Sequence, residues 1–288
     1  MALFRDQYGS LVVDEMPSES ELIDHYNFKY YDGKHTNYPS DYTDEEIDYL
    51  HFRDKVLYFF LQSKFNKLGN VLLDIGCGEG FTLNYFYERG YSCHGADFTS
   101  QGLEKEHPDL LNNIQFRKTN IIAGDYFEDK VFDVIVGNGI LEHVVDKATI
   151  LQRIHSKLTP GGCLFIGVPN DFSSIHHVYI EKNNLKMEEC PWYAAPEHLT
   201  YFNAASLKNT IESFGFETIS IMGDFPVEMF LFNKDTDFYN TNFGRTAHQI
   251  RVSFLNLIAG DIKKAIKFCT TLSDMGVGRD LMGVFRKI

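Results

Sequence analysis

Basic residues are in short supply: 27 Lys and Arg stand against 40 Asp and Glu in 288 residues, a formal net charge of −13. Proteins that hold nucleic acid or anionic membrane neutralise phosphates with a cationic excess, so neither is expected as the main partner. Cysteine is sparse as well. The five cysteines (Cys77, Cys93, Cys163, Cys190, Cys269) are an odd number, widely spaced, with no Cys-x-x-Cys pair. That pattern argues against a disulfide framework or a zinc cluster and for reduced thiols. No apolar run reaches the ~20 residues of a membrane span, and the N-terminus meets acids before an apolar signal core can form. A cytoplasmic chain is expected. Internal repeats and low-complexity tracts are lacking too.

What remains is an ordinary globular composition, 44% hydrophobic and 15% aromatic, enough for one large domain with insertions or two small ones. The charge is uneven. Residues 1–54 hold 13 acids and 4 bases, residues 55–223 hold 20 and 14, and residues 224–288 hold 7 and 9, so an anionic ligand is easiest to place late in the chain. Residues 1–42 are polar and rich in tyrosine (Tyr26, Tyr30, Tyr31, Tyr38, Tyr42) and suggest an arm that caps a site. Thr43 with Glu46 forms a capping box, and apolar spacing through Ile47, Leu50, Val56, Leu57, Phe60 and Leu61 predicts a helix to about Phe65.

Short β-rich runs then alternate with helical segments: 71–74, 91–97, 114–119, 132–137 and 163–168 as strands, with helices ending near Gly90 and spanning about 147–158 between them. Regular alternation of this kind implies an α/β, doubly wound, mostly parallel sheet, and the near-continuous apolar strands fit burial on both faces. Pro160-Gly161-Gly162 makes the turn into the fifth strand. Residues 169–201, rich in His, Asn, Pro and aromatics, interrupt the rhythm as a lid. A helix at 204–214, a strand at 217–222, a partly helical insertion at 223–278 and a last strand at 279–288 complete the expected order, with the core at 55–222 and an N-terminal unit at 1–54.

The sharpest motif is Asp74-Ile75-Gly76-Cys77-Gly78-Glu79-Gly80, directly after a strand and before a helix. Glycines there let the backbone turn tightly and let a ligand approach it. The dinucleotide fingerprint needs a glycine at 81, where Phe81 stands, and no Gly-Lys-Ser/Thr follows for a phosphate cradle. Pyrophosphate is a poor fit.

In these residues the chain resembles the class I S-adenosylmethionine-dependent methyltransferases, whose first motif reads acid-x-Gly-x-Gly-x-Gly. Asp97 ends the second strand where that family holds the ribose hydroxyls, with Phe98 beside it, and Asn120 and Ile121 follow the third strand where the family borders adenine. FDVIVGNGILEHV, with Asn138 at its strand end, PGG, and HLTYFNAASLKNTIESFGF resemble later motifs of the ubiquinone O-methyltransferase-like branch. The resemblance spans roughly residues 45–222. It implies a seven-stranded Rossmann-like methyltransferase fold, S-adenosyl-L-methionine as cofactor and S-adenosyl-L-homocysteine as product. An acidic rim suits this cofactor, whose sulfonium and ammonium outweigh its one carboxylate, and Asp97 can accept both ribose hydroxyls. Asp74 is expected to order the loop and face the ammonium.

Methyl transfer from a sulfonium rests mostly on positioning, with a base required only where the acceptor keeps its proton. His198 is the leading candidate for that base, against a packing role at the lid's hinge; His143 follows the fourth strand and is expected to orient the next helix and border the cofactor. The Glu-x-x-Glu-His cation motif of related branches has Gly139 at its first place, so one ligand is absent and no metal is expected, the alternative being a cation gathered by Glu142, His143 and a lid histidine. Asp171, His176, Trp192 and Tyr201 are candidates for the acceptor wall. In the late insertion, Arg245, His248 and Arg251 recur at i, i+3 and could form a cationic edge for an anionic acceptor, or simply a solvated helix face. The expectation is O-methylation of a small polar metabolite by a monomer or homodimer. Look-alikes with a late insertion decorate surface glycans, which implies a sugar, nucleotide-sugar or phosphorylated acceptor. The rivals are an N-methyltransferase and a catalytically silent cofactor-binding subunit.

Overall fold

The structure, a computed structural model, describes residues 1–18, 21, 42–121, 127, 128 and 130–288. Of the tyrosine-rich arm, Tyr26, Tyr30, Tyr31 and Tyr38 lie outside the described residues. The chain opens with two short strands, β1 (Leu3–Arg5) and β2 (Leu11–Val13), and then helix α1 (Asp44–Lys64). The Thr43 side chain accepts from the Glu46 amide and Glu46 answers to the Thr43 amide, so the predicted capping box starts α1.

The α/β alternation follows: β3 (Val71–Ile75), α2 (Phe81–Tyr87), β4 (Ser92–Asp97), α3 (Gln101–Glu106), β5 (Gln115–Lys118), β6 (Phe132–Asn138), α4 (Lys147–Lys157) and β7 (Leu158–Pro169). After it come α5 (Ser174–Asn183), β8 (Thr200–Tyr201), α6 (Ala204–Glu212), β9 (Phe216–Gly223), α7 (Gly244–Ile258), α8 (Ile262–Asp274) and β10 (Asp280–Lys287). Seven strands form one sheet in the order β5-β4-β3-β6-β7-β10-β9, parallel among β3 to β7 and antiparallel where β10 is inserted between β7 and β9. The order reverses at β3 and β6, which opens a crevice outside the carboxyl ends of those strands.

Successive residues of the central strands serve opposite faces. Leu72, Val134, Val136 and Phe165 pack with α1, α2, α7 and α8. Leu73, Ile75, Ile135, Leu164 and Ile166 pack with α4 and α6. A third cluster lies apart from both: Leu11 and Val13 join Phe172, Tyr179, Cys190, Trp192, Leu199 and Tyr201. There β1 and β2 pair antiparallel, and β2 pairs with β8 in a separate three-stranded sheet.

Two expectations change. A boundary at residue 54 falls inside the single helix α1, whose buried face (Phe52, Val56, Leu57, Phe60) belongs to the core. Residues 169–201, expected as one lid loop, contain α5 and lead into β8, tied to the amino-terminal strands. Among the described residues no helix is long and apolar enough to cross a membrane.

Candidate active site

The carboxyl end of β3 runs into the glycine loop. Gly76, Gly78 and Gly80 take φ of 68°, 50° and 80°, the left-handed region that favours glycine. A Cβ at 76 would meet Ile140 Cδ1 at 2.1 Å and one at 80 would meet Leu103 Cδ1 at 2.1 Å, whereas at 78 nothing lies within 4 Å. Two glycines thus permit close packing, and the middle one borders open space. Asp97, at the end of β4, accepts from the Gly78 amide (2.9 Å) with one oxygen and from the Thr99 amide (3.2 Å) with the other. Burial pushes its carboxyl up, and those amides pull it part of the way back. Asp74 is buried too, and its carboxyl stands well above the usual range because of burial first, then Asp54 and Asp97.

Asp54 was not a sequence candidate. It is buried in α1, where it accepts from Thr82 Oγ1 (2.9 Å) and pairs with His51 Nδ1 (2.9 Å). Its spacing with Leu50, Leu57 and Leu61, an acid on the apolar stripe, was the signal available. Beyond β5 the chain turns back through Thr119, whose amide donates to the Asp97 carbonyl (2.8 Å), bringing Asn120 and the buried Ile121 to this edge. At the end of β6, Asn138 Oδ1 is buried with no protein partner among the described residues.

On the other side of the crevice, Glu142, His143 and His198 converge, one ligand atom of each within 4.8 Å of the others. His143 Nδ1 lies 2.7 Å from the Glu197 carbonyl, an acceptor, so that nitrogen carries the proton. His198 Nδ1 lies 3.0 Å from Asp171 Oδ2, and the two imidazoles meet edge-on with centroids 4.9 Å apart. Burial works to lower the His198 pKa, but the Asp171 hydrogen bond and charge, with Glu142, outweigh it and leave the ring above its ordinary value. Glu142 is pushed up to about 7, chiefly by burial, and its Oε2 has no partner among the described residues. Behind Asp171 stands Arg279, with its NH1 3.6 Å from Asp171 Oδ1 and 3.3 Å from Glu228 Oε1.

Over residues 44–221 the sequence matches the family described as Methyltransferase domain. The chain belongs to that family. The ubiquinone biosynthesis O-methyltransferase of Actinobacillus pleuropneumoniae serotype 5b (strain L20) is 31% identical over 131 residues, which is 42% of this chain and 55% of the relative. The human mitochondrial ubiquinone biosynthesis O-methyltransferase is 31% identical over 109 residues, 36% of this chain and 30% of the relative. The chain therefore spans about half the length, or less, of the curated relatives it matches. The plantazolicin methyltransferase BpumL in complex with SAH superposes with a TM-score of 0.56 at 16% identity, over 92% of this chain and 93% of that one. The magnesium protoporphyrin IX methyltransferase of Synechocystis PCC 6803 with bound SAH gives 0.55 at 12% identity, over 94% and 100%. At such identities the likeness shows the fold, the α/β Rossmann-like methyltransferase fold.

The residues at this edge of the methyltransferase domain fit the chemistry of S-adenosylmethionine. Three buried acids, Asp54, Asp74 and Asp97, gather around a loop whose middle glycine borders open space, and the orphaned Asn138 Oδ1 lies at the same strand edge. Such a set suits a sulfonium and an ammonium and repels a pyrophosphate. Each Asp97 oxygen accepts from a backbone amide, Gly78 on one and Thr99 on the other.

Several acceptor-side expectations are overturned. Asp171 is buried behind His198 and orients it, so it is not part of an acceptor wall. His176 is fully buried, its Nδ1 3.0 Å from Ser173 Oγ in the capping box of α5 and its ring against Trp192; burial lowers its pKa to about 3. Trp192 and Tyr201 are buried in the third cluster, where the Tyr201 hydroxyl accepts from the Ala194 amide (3.0 Å). The cationic edge does not form. Arg251 turns inward on α7 beside Val252 and Leu255 and pairs with Asp224 and with Asp280 (2.5 Å). Arg53 also pairs with Asp280 (2.5 Å). His248 stays exposed with its ring edge on Tyr49 at 5.7 Å, and Arg245 is exposed near Glu46. The anionic acceptor thereby loses its anchor. The first metal-motif position is Gly139, as the sequence shows, yet the fold supplies His198 as a third group beside Glu142 and His143.

Proposed function

We propose that this chain moves the methyl group of S-adenosylmethionine to a hydroxyl of a small polar acceptor, with His198 receiving the proton. The observation that carries the reading is the His198–Asp171 pair. Asp171 accepts a hydrogen bond from Nδ1–H, which fixes the tautomer and leaves the Nε2 lone pair as the basic atom. The buried carboxylate also stabilises the imidazolium that forms when the acceptor gives up its proton, which is why its pKa stands above the ordinary value. S-adenosylmethionine, once bound, supplies an electrophilic methyl group with a neutral thioether as leaving group. Asp97 and the glycine loop hold its ribose, and Asp74, beside Asp54, receives its ammonium, whose positive charge favours the ionised form that burial and the neighbouring acids oppose.

A second reading is favoured by a specific observation: Glu142, His143 and His198 form a two-histidine, one-carboxylate set within 4.8 Å, and each histidine has its Nδ1 already bound to an oxygen. That is the arrangement of a divalent-cation site, and such a cation would be held by those three residues and would acidify the acceptor hydroxyl. An amine acceptor also gains from Glu142 at the site and from Arg251 being withdrawn.

The test is transfer of labelled methyl from S-adenosylmethionine into a panel of hydroxyl- and amine-bearing small molecules. An O-methyl product whose formation falls about 100-fold in His198→Ala supports the reading. An N-methyl product, no transfer at all, or an undiminished rate in His198→Ala overturns it. Activity lost in chelator and restored by Mg2+ assigns the three residues to a cation instead of a proton.

A further inference from the structure

His198 owes its position to a segment that the methyltransferase core does not contain. The residue lies just before β8, a strand of two residues, too short to hold itself. From the core side, the amides of Leu199 and Thr200 both donate to the Glu142 carbonyl, at 2.7 and 3.1 Å. From the opposite side, the support comes from the amino-terminal hairpin. The Val13 amide donates to the Leu199 carbonyl at 3.1 Å, and Leu11 and Val12 pair with Tyr201 and Thr200. Leu11, Val12 and Val13 are all buried.

The hairpin is braced at further points. Lys147 Nζ donates to Asp6 Oδ2 (3.3 Å) in its turn and to Thr200 Oγ1 (2.9 Å) in β8, joining α4, hairpin and β8 in one contact. The Tyr193 hydroxyl donates to the Met1 carbonyl (2.7 Å), and Tyr193 stacks on Tyr201 at 5.8 Å. On the far side Asn209 Nδ2, from α6, donates to the Tyr8 carbonyl (3.2 Å). Meanwhile the two clusters that hold the large sheet include no residue from 1 to 14, and neither do the hydrogen bonds of the glycine loop and Asp97. The hairpin is a strut between α6 and the strand after His198, and among the described residues it makes no hydrogen bond to the glycine loop or Asp97.

We propose that the amino-terminal hairpin is a positioning element for the acceptor side: through β8 it fixes His198 against Asp171, and it has no part in cofactor binding. Lys147 is a positioning residue of the same device. The inference rests on the proposed acceptor-side role of His198, but its test needs no acceptor.

The variants are the chain lacking residues 1–14, Lys147→Met and, as the conservative replacement, Lys147→Arg. Three readouts are taken on each: S-adenosylhomocysteine affinity by calorimetry, amide hydrogen exchange at 198–201, and the 15N signals of labelled histidine, with His198 assigned from its loss in His198→Gln. The expected result for the shortened chain is affinity within about threefold of the full chain, with exchange at Leu199 and Thr200 at least ~10-fold faster. Its His198 signal should move from one Nδ1–H tautomer to a mixture of the two. Lys147→Met should give the same changes in smaller degree, and Lys147→Arg should restore both signatures. Unchanged exchange and an unchanged His198 tautomer overturn the proposal. So does a loss of S-adenosylhomocysteine binding in step with the His198 changes, since the hairpin would then support the whole fold. If methyl transfer proves independent of His198, the proposed function falls while these readouts still decide the role of the hairpin.

Discussion

Replacing Glu142 by Gln should stabilise the protein above neutral pH and leave it unchanged in acid. The carboxyl is buried, its Oε2 lacks a partner among the described residues, and its pKa is pushed from 4.5 to about 7, chiefly by burial. In the unfolded chain the group ionises near its ordinary value. Between pH 4.5 and 7 the folded chain therefore keeps a proton that the unfolded chain has released, and stability falls as pH rises. Above pH 7 the full penalty stands, about 3 kcal/mol for a shift of this size. A Gln of the same shape carries no charge to desolvate. With ~2.1 cal/mol/K of unfolding entropy per residue over 288 residues, removing about 3 kcal/mol raises Tm by about 5 °C. Calorimetric melting of both proteins at pH 8 and pH 4.5, in chelator so that no cation neutralises the carboxylate, reads this directly. A gain at pH 8 that vanishes at pH 4.5 is expected. Equal melting at pH 8, or a gain that persists at pH 4.5, would refute the assignment of a buried, proton-retaining carboxyl.

Arg251→Met should destabilise the fold by about 3–5 kcal/mol in urea melts, because it leaves Asp224 buried without its partner. It should leave S-adenosylhomocysteine affinity within about threefold, and a loss of less than about 1 kcal/mol would show that the pair is not buried as described. In Gly76→Ala the new Cβ would meet Ile140 Cδ1 at 2.1 Å in a backbone with φ of 68°. The loop must shift, so calorimetry should show S-adenosylmethionine affinity lowered by ~10-fold or more. Full-strength binding by this variant would place the cofactor elsewhere.

The parallel strands were plain in the sequence because burial on both faces leaves runs such as Leu72-Leu73 and Val134-Ile135-Val136 without polar interruption. The glycine loop was equally plain, since the left-handed backbone at Gly76, Gly78 and Gly80 is a demand of each residue's own φ, which glycine meets without strain. The acceptor side was hidden for a different reason. Asp171 and His198 are 27 residues apart, and Arg251 lies 27 residues from Asp224. Spacing rules relate residues along one helix or strand and are silent on such pairs. Arg251 did offer a local sign, because Ala247, Val252 and Leu255 place it on the buried face of its helix rather than with the exposed Arg245 and His248. The hairpin escaped notice because strands of three residues show no period, and the partner of β2 lies at Thr200–Tyr201.

Everything proposed for the acceptor presupposes that S-adenosylmethionine lies on the glycine loop with its ribose on Asp97. Titration calorimetry of S-adenosylmethionine into the full chain and into Asp97→Ala measures that most directly. Two charge-assisted hydrogen bonds to the ribose, each ~1.5–3 kcal/mol, set a loss of at least ~100-fold in affinity for the variant, against one-to-one binding by the unaltered chain. No heat of binding to the unaltered chain, or the same affinity in both proteins, would contradict the account.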